Sequence, residues 1–167
     1  MMKLYGGSLM GIILDEMDVN IIRTLQRDAR TNFVSIAKKF DASIDTIISH
    51  FRNLTDIGVV RGSTIYLNPR MLGFECIASL EIDVDYPRVD EVQKMVQSLE
   101  GVIFCSPSSG KSDIFAIAVL KSVDRLSRLM ESIKRNPMVR EIAASIWVDE
   151  VRLCPENFDF DQVMRDA

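Results

Sequence analysis

One histidine, His50, and three scattered cysteines, Cys76, Cys105 and Cys154, are all that this 167-residue chain has of the side chains most used to hold transition metals. The cysteines are odd in number and contain no C-x-x-C pair, so neither a disulfide framework nor a zinc site is expected. They read instead as small buried apolar residues. A single imidazole excludes multi-histidine metal centres and leaves Ser-His-Asp chemistry only if His50 itself serves. No catalytic residue, metal or cofactor is therefore expected. Long apolar runs are also missing, since none approaches the roughly 18 residues that cross a bilayer. Leu9 to Leu14 is too short for a signal-peptide core and has no A-x-A-like cleavage site, so the cytoplasm is the expected location.

What is present lies inside the globular range, with 47% apolar and 26% charged residues. The net charge of −4 is unevenly spread. Residues 1–73 carry nine Lys/Arg against seven Asp/Glu, and the remainder carries eleven against seventeen. An anionic partner should meet the first part of the chain.

In that part the apolar positions follow a helical period. Met17, Ile21, Ile22 and Leu25 form a stripe starting just after Asp15, a natural N-cap. Asn32 precedes a short helix over Phe33 to Phe40, with Phe33, Ile36, Ala37 and Phe40 inward. Only Asp41-Ala42-Ser43 separates it from a third helix, capped by Ser43, in which Ile44, Ile47, Phe51 and Leu54 face inward and which Gly58 stops. Three helices with a three-residue turn before the last give the helix-turn-helix pattern. The period then falls to two in Val59-Val60-Arg61 and Thr64-Ile65-Tyr66-Leu67, which reads as a small hairpin or wing turning at Gly62-Ser63. Asn68-Pro69 breaks the pattern and Gly73 marks the passage to a second domain.

The second domain carries a repeat: Val89, Val92, Met95, Val96 and Leu99 are spaced like Val123, Leu126, Leu129, Met130 and Ile133. Extended segments at Cys76 to Val84, Val102 to Cys105, Ile114 to Leu120 and Ile142 to Leu153 give the order β-α-β-β-α-β, which is ferredoxin-like. Two helices cover only one face of such a sheet, yet Ile114 to Leu120 is apolar at every position. On the last strand Trp147, with Ala143 and Ser145, points away from Ile142, Ala144, Ile146 and Val148. The second face needs a cover, and a second copy is the simplest one, so a homodimer joined sheet to sheet is expected, and whether such dimers assemble into a tetramer or octamer stays open. The fold class is thus α+β, divided into an extension (1–13), a winged helix-turn-helix DNA-binding domain (14–73), a ferredoxin-like domain (74–154) and a tail (155–167).

The run Leu14-Asp15-x-x-Asp18-x-x-Ile21-Ile22-x-x-Leu25-Gln26-x-Asp28-Ala29-Arg30 resembles the opening of the Lrp/AsnC family, the feast/famine transcription regulators. So do Ile36-Ala37, Ser43-x-x-Thr46-Ile47-x-x-His50-Phe51-x-x-Leu54-x-x-x-Gly58-Val59-Val60 and Asn68-Pro69-x-x-Leu72-Gly73. Ser109-Gly110-Lys111-Ser112-Asp113 is similar to that family's T-G-x-x-D loop. The resemblance implies a sequence-specific DNA-binding regulator that responds to an amino acid or related metabolite through its second, oligomerising domain. Two departures stand out: Asp41 replaces the glycine frequent in the turn, and His50 replaces an arginine of the recognition helix. Aspartate tolerates the left-handed conformation, and the histidine makes DNA affinity weaker or pH-dependent.

With Ile47, Phe51 and Leu54 inward, Ser43, Asp45, Thr46, Ser49, His50 and Asn53 are left on or near the groove side, where Asn53 could pair with adenine. Arg30, Lys38, Lys39, Arg52 and Arg61 are candidates for phosphate contacts. In the loop, Ser108, Ser109, Gly110, Lys111 and Ser112 offer backbone amides to an effector carboxylate, Gly110 can take a positive φ, and Asp113 can pair with its ammonium. Two other readings stay open. Sirohaem decarboxylases share the two-domain architecture, although this acidic second domain has no histidine. A low-specificity architectural DNA protein would have the same helices.

Overall fold

The computed structural model describes residues 13–85 and 87–148. They fall into two compact units that divide between Ile65 and Tyr66. The end of the expected last strand, Cys154, most of the extension and the whole tail lie outside the described residues.

The first unit is built from α1 (Glu16–Arg27), α2 (Phe33–Lys39) and α3 (Ile44–Asp56). Each starts where the sequence supplies a cap. Asp15 accepts the Asp18 N–H while the Asp18 carboxylate accepts the Asp15 N–H, a closed capping box. Asn32 accepts from the Ser35 N–H, and Ser43 from the Thr46 N–H. Asp41 stands at φ +51°, so the turn between α2 and α3 uses the left-handed conformation through an aspartate. The apolar stripes close on one core of Leu14, Val19, Ile21, Ile22, Ile36, Ala37, Ile47 and Leu54, with Phe33 and Phe51 ring to ring at 5.1 Å.

Two expectations fail in this unit. Ile44 is 43% exposed, because the first residue of α3 projects beyond the α1–α2 surface that the rest of its stripe covers. Val59 to Leu67 forms no strand. Its alternation is real, but Ile65, Tyr66 and Leu67 stay exposed, and the Val60 N–H turns back to the Leu54 carbonyl instead of pairing across a hairpin.

The second unit opens with a 3-10 turn, Arg70–Leu72, ended by Gly73 at φ +77°. It continues as β1 (Cys76–Val84), α4 (Val89–Gln97), β2 (Val102–Pro107), β3 (Ile114–Leu120), α5 (Val123–Lys134) and β4 (Val139–Ile146). The sheet order is β2-β3-β1-β4, antiparallel throughout, so each helix crosses over between strands that are not neighbours. That is the ferredoxin-like arrangement. Cys76, Ala78, Leu80, Ile82 and Val84 of β1 and Ile114, Ala116, Ala118 and Leu120 of β3 pack under Val92 and Val96 of α4 and Leu126, Leu129 and Ile133 of α5. β4 starts three residues before the expected Ile142 and runs to Ile146, beyond which the Trp147 backbone N–H still donates to the Ile77 carbonyl at 2.8 Å and its indole N–H donates to Ser79 Oγ at 3.3 Å. On the face away from the helices, Phe104 and Phe115 meet edge to face at 6.3 Å, with Phe104 48% exposed.

Candidate functional site

Each unit carries its own candidate surface. In the first, α3 buries Ile47 and Leu54 completely and turns Asp45, Thr46, Ser49, Arg52 and Asn53 to solvent. Residues two, five and six positions after Ile47 lie on the far side of a 3.6-residue helix, which is why one stripe is apolar and the other can accept and donate. Ser43 sits at the head of this surface with its hydroxyl engaged locally, bonded to Thr46 Oγ1 at 2.8 Å as well as to the Thr46 N–H. Arg30, Lys38, Lys39 and Arg61 are all exposed. Lys39 also lies over the Phe40 ring, 5.0 Å from its centroid. The exposed Ile44 joins this surface, where an apolar side chain suits a thymine methyl. Sequence periodicity assigned it inward and so missed it.

His50 is not part of that outward set. It points across to α1, with Nδ1 2.8 Å from Asp18 Oδ1 and 3.8 Å from Asp15 Oδ2. Asp18 is a buried carboxylate, and both of its oxygens are used: Oδ2 accepts the Asp15 N–H at 3.2 Å and Oδ1 faces the imidazole.

In the second unit the loop between β2 and β3 is closed by Ser108 N–H donating to the Asp113 carbonyl at 2.8 Å, which spends one of the amides expected to face a ligand. Ser109, Gly110 and Lys111 are exposed, and Ser112 is half-buried with its hydroxyl near the Ile114 carbonyl. Gly110 is not among the residues with positive φ, and its Cβ position is open space, so the expected left-handed glycine is not used here. Lys111 pairs with Glu81 at 3.1 Å. Asp113 is the best-anchored member of the loop. Its N–H donates to the Ile82 carbonyl, and its Oδ2 accepts both the Val84 N–H at 2.9 Å and Arg140 Nη2 at 3.2 Å.

Arg140 was missed by sequence reasoning. Only the antiparallel pairing of β4 with β1 brings it beside Asp113 and within 3.8 Å of Asp85. The acid and the base thus stand next to each other at the loop base, both partly open to solvent. Neither cysteine thiol described here suits nucleophilic chemistry, because burial pushes both Cys76 and Cys105 up.

Comparison with known proteins gives a match on each unit. Residues 14–61 match the family model of a winged helix-turn-helix DNA-binding domain. Residues 77–155 match that of the Lrp/AsnC ligand binding domain. An uncharacterized HTH-type transcriptional regulator of Pyrococcus furiosus is 29% identical over 146 residues, covering 85% of this chain and 99% of the relative. Among solved structures, the leucine response regulatory protein of Mycobacterium tuberculosis is 25% identical with a TM-score of 0.74, covering 81% of this chain and 93% of that one. A transcriptional regulator from Neisseria meningitidis, solved as an L-Met complex, has a TM-score of 0.77 at 18% identity, covering 90% and 99%. At that identity the likeness is one of fold.

Proposed function

Because this chain belongs to the Lrp/AsnC family and is a DNA-binding transcriptional regulator with that family's ligand-binding domain, we propose that it acts in the cytoplasm as a homodimer whose effector is an amino acid or a related small metabolite. The observation that carries the DNA part is the two-sidedness of α3: Ile47 and Leu54 fully buried, Asp45, Thr46, Ser49, Arg52 and Asn53 facing out. Asn53 is the strongest candidate for a bidentate adenine contact. Arg30, Lys38, Lys39, Arg52 and Arg61 supply phosphate contacts that fix position. A two-fold dimer then reads a roughly palindromic site, with half-sites about one helical turn apart.

The effector part rests on the adjacent Asp113 and Arg140 at the base of the loop 106–113. A zwitterion offers an ammonium to the acid and a carboxylate to the base, and binding between them exchanges one ion pair for two. The names of two similar structures, a leucine response regulatory protein and an L-Met complex, favour the same chemical class. The ligand acts by its differential affinity for alternative assemblies.

Selection of duplexes from a random pool at fixed salt, repeated with each common amino acid, tests both parts. Expected is one palindromic consensus whose affinity or footprint shifts with a subset of amino acids. A footprint that spreads without a preferred sequence replaces this reading with an architectural protein, and uniform absence of heat in calorimetry with amino acids refutes the effector class. The protein carries no chemistry of its own in this reading. Coloured protein binding tetrapyrrole would reinstate the decarboxylase alternative.

A further inference from the structure

The sole histidine of the chain stands on the recognition helix, yet it faces another helix. Among the described residues the charged groups within ion-pair range of its ring are Asp18 of α1 at 2.8 Å and Asp15, the N-cap of that helix, at 3.8 Å. Its neighbours one turn away on α3, Thr46, Ile47, Asn53 and Leu54, carry no charge. The Asp18 side chain is only 7% exposed, and a carboxylate taken from water must find partners for its lone pairs. One is the Asp15 N–H of the capping box and the other is His50. The remaining polar side-chain bonds described on α3 are local to it: Ser43 with Thr46 and Thr55 with the Phe51 carbonyl. The His50–Asp18 contact is therefore the polar tie, among those described, between the helix that meets DNA and the helix behind it.

We propose that His50 is a positioning residue for DNA binding, seated on Asp18 and Asp15, and that protonation of its ring tightens the seat of α3 against α1. This rests on α3 being the helix that enters the groove. In the neutral ring, donation to Asp18 requires the proton on Nδ1, so the carboxylate selects the tautomer. A second proton leaves that hydrogen bond in place and makes the ring cationic. It then faces two carboxylates, so attraction to both is added to the existing bond. The recognition helix is consequently held more firmly once the ring is protonated, with no ring atom touching DNA. An arginine at this position would stay charged across the same range and could not respond in this way.

The test uses the full-length protein. With one histidine in the chain, its ring nitrogens give an unambiguous nitrogen NMR signal. The expected result is a neutral ring protonated on Nδ1, with backbone amides of α3 and of Asp15 to Asp18 shifting along the same titration curve as the ring. For a fixed duplex recovered by selection, affinity should rise roughly three- to tenfold from a higher pH at which the ring signal is that of the neutral form to a lower pH at which it is protonated, with the salt dependence of binding unchanged. His50→Asn keeps a donor where Nδ1 stands but cannot take a charge. It should bind like the parent at the higher pH and lose the pH response, whereas His50→Ala should bind more weakly throughout. The proposal is overturned if the α3 amides ignore the ring's titration or if the Asn variant keeps the parent's pH profile. It also fails if acidification steepens the salt slope by about one, the mark of a direct phosphate contact. If the amides follow the ring but no duplex binds at any pH, the reading of α3 as the groove helix is what fails, and the positioning role goes with it.

Discussion

Gly101, between α4 and β2, stands at φ +88°, and a Cβ placed there would lie 2.5 Å from Leu120 Cδ2 and 3.1 Å from the Val119 carbonyl oxygen. The leucine end can move, but the carbonyl is fixed, because the Val119 N–H donates to the Gly101 carbonyl at 2.8 Å. Gly101→Ala should therefore cost about 2 kcal/mol of unfolding free energy, combining a strained φ with a close contact. Urea denaturation followed by circular dichroism measures it, and a variant as stable as the parent would show that the backbone relaxes freely. Single residues were also where sequence reading was weakest. Asp18 and His50 are 32 positions apart, and nothing in their spacing announces that one will be buried and the other turned onto it. Asp113 and Arg140 met the same obstacle, since their pairing depends on strand register and no periodicity encodes it.

Helices and strands were far more legible. Asp15, Asn32 and Ser43 stand as N-caps where their chemistry placed them, and the 3.6-residue stripes gave α1, α2 and α3, with the ends expected for α2 and α3 correct to within a residue or two. The reason is local: a cap and its amide are three positions apart, so the sequence alone contains both partners. Ser43→Ala removes the acceptor of the Thr46 N–H and the hydroxyl partner of Thr46 Oγ1. It should lower stability by about 1 kcal/mol in the absence of DNA, and thermal unfolding without ligand reads that cost separately from any loss of affinity. Where elements were misread, the missing information was tertiary. The Val59–Leu67 alternation promised a hairpin, but a ladder needs a second strand in register, and none of these residues is in a strand. Ile44 kept the helical period but lay one turn beyond the surface that covers the others.

At the scale of the whole molecule, the two-sided apolarity of β3 is the feature that argues for a dimer. Ile114, Ala116, Ala118 and Leu120 pack under the helices, while Phe115 and Ile117 remain half-buried on the opposite face beside the exposed Phe104. Phe104→Asp should leave the stability of a separated subunit almost untouched, since the ring is already 48% exposed. It should shift sedimentation from dimer towards monomer and reduce affinity for a two-half-site duplex by at least about tenfold. A variant that still sediments as a dimer would move the interface elsewhere. The exposed run at the boundary of the two units has a further consequence. Ile65, Tyr66 and Leu67 are exposed at 70%, 58% and 51%, and extended chain of this kind fits the cleft of a protease without local unfolding. Brief digestion with chymotrypsin should nick the polypeptide at Tyr66 or Leu67 first, giving two bands on a denaturing gel that resist the enzyme long after that bond is gone.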